Sequence, residues 1–319
     1  MMLDHGGNID AAIARFAGTN WIDLSTGINR VPYPVPDIPA SDWAMLPTQA
    51  AKSALLAAAR LAYRTQAPML AIAGAQAGIQ MIPRLTRPGL ARVLSPTYNE
   101  HAAALRTAGW QVQQVTRFDQ LAGADLAVIV NPNNPNGQSF STTDLQDLAK
   151  ETRLVVDESF VDPRPDLSLA PLAGTPGLII LRSFGKFYGL AGLRLGFVIG
   201  STEDITRLTE MSGPWPVNGA ALRIATQALR DDDWAQATIL RLRKETATAD
   251  ALAKAAGWSV LGGTELFRLY DTPDAVAAQV QLARHQIWSR IFPYSNRWLR
   301  LGLPGGDVEW ARLARALAD

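Results

Sequence analysis

The 319-residue chain has no cysteine, which excludes disulfides, thiolate zinc sites, iron–sulfur clusters and cysteine nucleophiles. Histidine is nearly as scarce. His5, His101 and His285 stand far apart with no ligand-like spacing, so no metal is expected. An excess of one charge is also lacking: 30 Lys and Arg against 29 Asp and Glu leave a net charge of +1. Nothing in that balance calls for nucleic acid or an anionic membrane surface as partner. No run reaches the roughly 18 apolar residues of a membrane span. Residues 1–10 lack the charged and apolar regions of a secretion signal, so a cytoplasmic protein is the expectation. What is present is an ordinary globular composition, 48% hydrophobic and 18% charged, which supports a large buried core. Lysine stands at only five positions, 52, 150, 186, 244 and 254, against 25 arginines. A lysine in an apolar, glycine-rich setting is therefore conspicuous.

The first forty residues are rich in Gly and Pro and read as an extended arm with one short helix over 10–16. From Thr48 a helical pattern runs to Tyr63, and strand-like runs then alternate with helices. Strands are expected over 69–73, 91–94, 112–115, 126–130, 154–156, 178–181 and 196–199, with helices over 75–85 and 100–108. Short apolar runs separated by helices imply an α/β fold with a mostly parallel sheet between helices. Beyond Gly200, helices over 203–211, 219–229 and 233–256 and strands over 258–261, 266–269 and 298–301, with helices over 273–285 and 308–317, suggest a smaller α+β domain. The expected division is an N-terminal arm over 1–40, a large domain over 41–212 and a small C-terminal domain over 213–319.

In an open parallel sheet, ligands bind beyond the carboxyl ends of the strands. Four such junctions stand out. After Ala73 comes Gly74-Ala75-Gln76-Ala77-Gly78, a helix start whose backbone N–H groups suit a phosphate. After Val130 comes Asn131-Pro132-Asn133-Asn134-Pro135-Asn136-Gly137, a rigid turn rich in amides. After Val156 comes Asp157-Glu158, carboxylates that are costly to bury without partners. The fourth is Ser183-Phe184-Gly185-Lys186-Phe187-Tyr188-Gly189, with Arg194 eight residues past the lysine. An amine desolvated among aromatics and glycines is suited to Schiff-base chemistry. Each junction alone also has a plain structural reading as a turn, a cap or a solvated charge.

Together and in this order they resemble the fold-type-I pyridoxal phosphate enzymes of the aminotransferase superfamily. The resemblance implies pyridoxal 5'-phosphate as cofactor, with Lys186 forming the Schiff base and moving protons. Asp157 would pair with the pyridinium nitrogen, Asn134 would donate to the ring hydroxyl and Tyr98 would stack on the ring. Backbone N–H groups at Ala75 and Gln76, the Ser183 hydroxyl and Arg194 would hold the phosphate. The nearer resemblance is to histidinol-phosphate aminotransferases and, more closely, to the threonine-phosphate decarboxylases of cobalamin synthesis. It is carried by His5-Gly6-Gly7-Asn8, by Asp23-Leu24-Ser25-Thr26-Gly27-Ile28-Asn29, by residues 181–186 and by Trp298-Leu299-Arg300-Leu301-Gly302-Leu303-Pro304. It implies a small phosphorylated amino acid as substrate: His5, Gly6, Gly7, Asn8, Gly27 and Asn29 would cradle its phosphate, and Arg300 with Arg290 would take its carboxylate. A homodimer is implied as well.

Three positions depart from the aminotransferase pattern: Phe160 where a Tyr is usual, Gly185 before the lysine, and Leu46-Pro47 where a Tyr often reaches the partner's cofactor. Each counts against efficient transamination. Which bond at Cα breaks depends on which stands perpendicular to the cofactor ring, so decarboxylation is implied by the resemblance alone. The rivals are a histidinol-phosphate-type aminotransferase, which shares every cofactor residue, and a non-catalytic regulatory protein of the same fold.

Overall fold

Runs such as Leu126–Val130 and Leu178–Ser183 are apolar at consecutive rather than alternate positions, the pattern of strands covered on both faces. The first is buried throughout and the second at all but its last residue. In the computed structural model, which describes residues 5–319, they lie at the centre of a seven-stranded sheet. Residues 1–4, the head of the expected arm, lie outside the described residues. Across the sheet the order is Met69–Ile72, Gly196–Ile199, Leu178–Ser183, Arg153–Asp157, Leu126–Val130, Leu90–Leu94 and Gln111–Val115. The last five run parallel. Gly196–Ile199 runs antiparallel to both of its neighbours, so the sheet is mostly parallel, as expected.

Helices Ala75–Met81, Asn99–Thr107 and Thr202–Ser212 supply Ile79, Leu105 and Leu208 to a core shared with Val93, Val128, Leu181 and Val198 of the sheet. The register Val130↔Asp157 and Asp157↔Leu181 aligns the carboxyl ends of three neighbouring strands. Asp157, at its strand's end, and the segments carrying Asn134 and Lys186 therefore lie at the same edge of the sheet.

The chain divides into two compact units. The larger comprises Tyr33–Asn134 and Ser139–Ala235, and the smaller the described residues of Met1–Pro32 with Pro135–Gln138 and Gln236–Asp319. These borders differ from those expected at 40/41 and 212/213, for packing reasons. The Tyr33 N–H donates to Tyr188 O at 2.9 Å, and its ring packs on Tyr188 and Trp234, which ties the end of the Pro-rich stretch to the larger unit. Helix Gly219–Ala228 packs along Gln49–Ala62 in that unit too.

Within the smaller unit the N-terminal stretch is structured. Helix Ile9–Phe16 is capped by Asn8, and Ile22–Asp23 pairs in parallel with Ile287–Trp288. A four-stranded antiparallel sheet completes the unit, ordered Arg290–Phe292, Ser295–Gly302, Phe267–Asp271, Ser259–Thr264. Ile22, Leu24, Tyr270, Leu282, Leu299, Leu301 and Leu313 form its core. Gly137 (φ +70°) lies so close to Gly263 that a Cβ there would stand 1.9 Å from the Gly263 carbonyl oxygen, a contact only glycine permits. Among the described residues, no helix is long and apolar enough to cross a membrane, and no group of three His, Asp or Glu is placed to hold a metal.

Candidate active site

Gly74 at φ +75° turns the chain from strand Met69–Ile72 into helix Ala75–Met81, and no side chain caps that helix. Its first N–H groups thus suit an anion. A Cβ at Gly74 would stand 2.8 Å from Nη2 of Arg194, so the missing side chain makes room for the guanidinium. Arg194 itself holds a left-handed conformation at φ +53°, rare for a residue with a side chain and often found at functional positions. These groups line a cavity of about 140 Å³ with Ser183, Lys186, Tyr98, Asn134, Asp157 and Phe160. The structure thus brings together, in the larger unit, all eight side chains and backbone positions expected to hold the cofactor.

Local bonding explains the placement of each. Asn131 closes the turn by accepting the Phe140 N–H at 2.9 Å and donating to Phe140 O at 3.3 Å. Asn133 is held by Thr97 Oγ1 at 2.7 Å and by its own donation to Pro96 O at 3.0 Å. Two of the amides in that motif are therefore structural, while Asn134 lines the cavity. The Tyr98 hydroxyl donates to Gln76 Oε1 at 3.4 Å, and burial, with Glu100 and Asp157 nearby, pushes it up to about 12, so it stays protonated. Gln76 in turn donates to Glu100 at 2.6 Å. The Lys186 amine lies 5.8 Å from the centre of the Phe160 ring, within cation–π range. Lys186 sits on the short helix Phe184–Phe187, backed by a stack in which the rings of Phe184 and Tyr188 lie 4.3 Å apart.

Two partners of Asp157 escaped the sequence reading. His101 Nε2 lies 2.8 Å from Asp157 Oδ2, and, with Asp157 ionised, it is the donor. Asp157 Oδ1 accepts from Ser159 N at 2.9 Å and Ser159 Oγ at 2.5 Å. All three residues are buried. Burial pushes the Asp157 carboxyl up, but His101, then Ser159, outweigh it and hold the group below the usual carboxylate range. His101 lies three residues after Tyr98, one helical turn, and that spacing was the signal available for it.

Neighbouring Glu158 points to the other side, where Ser168, the Leu169 N–H and Arg182 bind it at 2.7, 2.6 and 3.1 Å. Arg182 also donates to Asp162 at 2.6 Å and stacks over Tyr63 at 4.1 Å. Burial pushes both carboxyls up against the pull of Arg182. This network ties the strand bearing Asp157 to the strand leading to Lys186.

Within the smaller unit, three of the expected substrate residues, Gly6, Gly7 and Arg300, meet at Ser25. The Ser25 hydroxyl donates to Asp23 at 2.6 Å and accepts the Gly7 N–H at 2.7 Å, and its carbonyl accepts from Arg300 Nη2 at 2.6 Å. Gly6 lies against the same carbonyl, where a Cβ would stand 2.3 Å from the oxygen. Ser25 was not singled out from sequence. His5 is exposed, Gly27 and Asn29 are buried, and Asn8 Oδ1 accepts the Ala11 N–H as a helix cap. Asn29 Oδ1 accepts from Val31 N at 3.1 Å and Arg241 Nη2 at 2.8 Å, which turns its amide nitrogen the other way. Arg290 pairs with Arg300 across adjacent strands. Burial, and then Arg290, pull the Arg300 guanidinium down to about 10, still charged at neutral pH. Two cations side by side favour an anion such as a carboxylate.

The donor set fits pyridoxal phosphate. A helix N-terminus with a serine and an arginine matches the phosphate, a lysine matches the aldehyde, and a buried, hydrogen-bonded carboxylate matches a ring nitrogen. Comparisons with known proteins agree. The family model for aminotransferase class I and II matches residues 41–317. The chain is 42% identical to the threonine-phosphate decarboxylase of Pseudomonas aeruginosa, over 99% of this chain and 97% of that one. The Sinorhizobium sp protein of the same name is 40% identical, over 98% and 97%. The histidinol-phosphate aminotransferase of Salmonella arizonae is 35% identical over 49% of each chain. Among solved structures, the Sinorhizobium meliloti histidinol-phosphate aminotransferase in complex with pyridoxal-5'-phosphate superposes with a TM-score of 0.83 at 20% identity, covering 97% of this chain and 93% of that one. The L-threonine-O-3-phosphate decarboxylase of Porphyromonas gingivalis gives 0.72 at 20% identity, covering 92% and 98%. At such identities the structural likeness is one of fold.

Proposed function

The chain belongs to the class I and II aminotransferase family, and from that premise we propose that it is a pyridoxal-phosphate-dependent decarboxylase of L-threonine O-3-phosphate. The products would be (R)-1-aminopropan-2-yl phosphate, for cobalamin synthesis, and carbon dioxide. One observation carries the choice within the family. Likeness to the Pseudomonas aeruginosa decarboxylase runs through 99% of the chain at 42% identity, whereas likeness to the Salmonella arizonae aminotransferase covers 49%.

When bound, pyridoxal phosphate supplies an electron sink for the bond cleaved at the substrate's Cα. Lys186 would hold it covalently and move a proton on its amine. Asp157, kept ionised by His101 and Ser159, would hold a proton at the ring nitrogen. Asn134 would donate to the ring hydroxyl and Tyr98 would cover the ring face. The N–H groups of Ala75 and Gln76, the Ser183 hydroxyl and the Arg194 guanidinium would bind the phosphate. Phe160 brings no hydroxyl to this set, and the centre of its buried ring lies 5.8 Å from the Lys186 amine. In the smaller unit, Arg300 and Arg290 would take the substrate's carboxylate, and His5, the Gly6–Gly7 turn, Asn8, Gly27 and Asn29 its phosphate. We also propose a homodimer, since Trp43, Met45 and Leu46 are each more than 60% exposed beside an open cleft of the larger unit.

The activity is tested by incubating the reconstituted enzyme with threonine phosphate, histidinol phosphate and serine phosphate and identifying products by mass spectrometry. Carbon dioxide release with aminopropanyl phosphate from threonine phosphate alone is expected. Accumulation of pyridoxamine phosphate without carbon dioxide would establish transamination instead.

A further inference from the structure

The loop after strand Arg153–Asp157 places a hydroxyl where the turn itself does not require one. The Ser159 N–H already binds Asp157 Oδ1 at 2.9 Å, and that backbone bond would persist with any side chain at 159. The Ser159 hydroxyl adds a second, shorter bond to the same oxygen at 2.5 Å. His101 holds the opposite oxygen, Oδ2, at 2.8 Å. Ser159 is 7% exposed and lines the cavity that also holds Lys186. A buried hydroxyl is costly unless it is satisfied, and the bond to a carboxylate is of the stronger, charge-assisted kind.

We propose that Ser159 is a positioning residue whose hydroxyl fixes the plane of the Asp157 carboxylate and lowers its basicity, so that a proton shared with the cofactor ring nitrogen stays on the nitrogen. The inference rests on the reading of Asp157 as the ring-nitrogen partner. Its chemistry is a competition between two bases for one proton. Each hydrogen bond donated to the carboxylate stabilises its ionised form and so weakens its hold on that proton. Removing the hydroxyl leaves the backbone bond and His101 in place and makes Asp157 the stronger base. The proton then shifts toward the carboxyl group, and the ring loses part of its capacity as an electron sink.

The test uses holoenzyme reconstituted with pyridoxal phosphate labelled with ¹⁵N in the ring, in the wild type, Ser159→Ala, Ser159→Thr and Asp157→Asn. In Ser159→Ala the ring-nitrogen resonance is expected to move downfield, toward its position in Asp157→Asn, while Ser159→Thr stays with the wild type. Turnover of threonine phosphate by Ser159→Ala should fall roughly tenfold, the scale of one charge-assisted hydrogen bond, with KM within about twofold. If Asp157→Asn moves the resonance and Ser159→Ala does not, the serine is merely structural and the inference is overturned. If Asp157→Asn leaves the resonance at the wild-type position, the assignment of Asp157 falls, and the inference with it.

Discussion

Arg182 holds two carboxyls that burial pushes up, Glu158 at 0% exposure and Asp162, and it is itself 4% exposed. Removing one member of such a cluster strands the others without compensation, which costs about 3–5 kcal/mol. Arg182→Met, which keeps most of the length, is therefore expected to lose that much stability in urea denaturation near pH 8. Without Arg182 the two carboxyls titrate above their unfolded values in the folded state, so stability is greatest when both are protonated and falls as pH rises through the raised values. The deficit should shrink on going from pH 8 to pH 5. A deficit that is constant over that range would show that the loss comes from packing over Tyr63 instead. At this scale, legibility depended on residue type. Lys186 and Asp157 were visible because an amine among aromatics and an acid ending an apolar strand both demand an explanation. Ser25, Ser159 and His101 were not, because serines are common and a single histidine without ligand-like spacing points to no particular chemistry. Their roles rest on which oxygen lies within 3 Å: the fold brings His101 to Asp157 from 56 residues away, and the turn of the chain sets the bond of Ser159 to Asp157 two residues before it.

Elements were legible where periodicity was long. The helix expected over 233–256 is found at Asp232–Ala255 and the strand over 126–130 at Leu126–Val130. Helix Thr142–Glu151 was not anticipated: its buried side chains are only Leu145 and Leu148, too few to mark a stripe. Its start was signalled instead by Ser141, whose hydroxyl accepts the Asp144 N–H at 3.1 Å. The helix expected over 75–85 gives way after Met81 to a 3₁₀ turn over Ile82–Arg84, since Pro83 has no N–H to continue the α ladder. The two-residue strands Ile22–Asp23 and Ile287–Trp288 are too short to carry any pattern, and their pairing gives the N-terminal stretch a place in a sheet that its composition did not reveal. The lining of the larger unit's cavity was legible for a geometric reason. In a parallel sheet the carboxyl ends of the strands point the same way, so the residues just beyond each strand gather at one edge and can be collected strand by strand.

For the whole molecule, the exposed side chains of Trp43, Met45 and Leu46 set the expected assembly state. Light scattering at micromolar concentration should give twice the chain mass, and Leu46→Glu should shift that value toward one chain. A fully active monomer would contradict the dimer. Every cofactor-binding role assigned to the larger unit depends on one atom, the Lys186 amine, because each assumes that the cofactor is anchored there. Borohydride reduction of the holoenzyme, with peptide mapping of the product, tests that anchorage most directly. A pyridoxyl label on Lys186, absent from Lys186→Ala, is expected. A label on Lys52, Lys150, Lys244 or Lys254, or no label at all, would contradict the assignment.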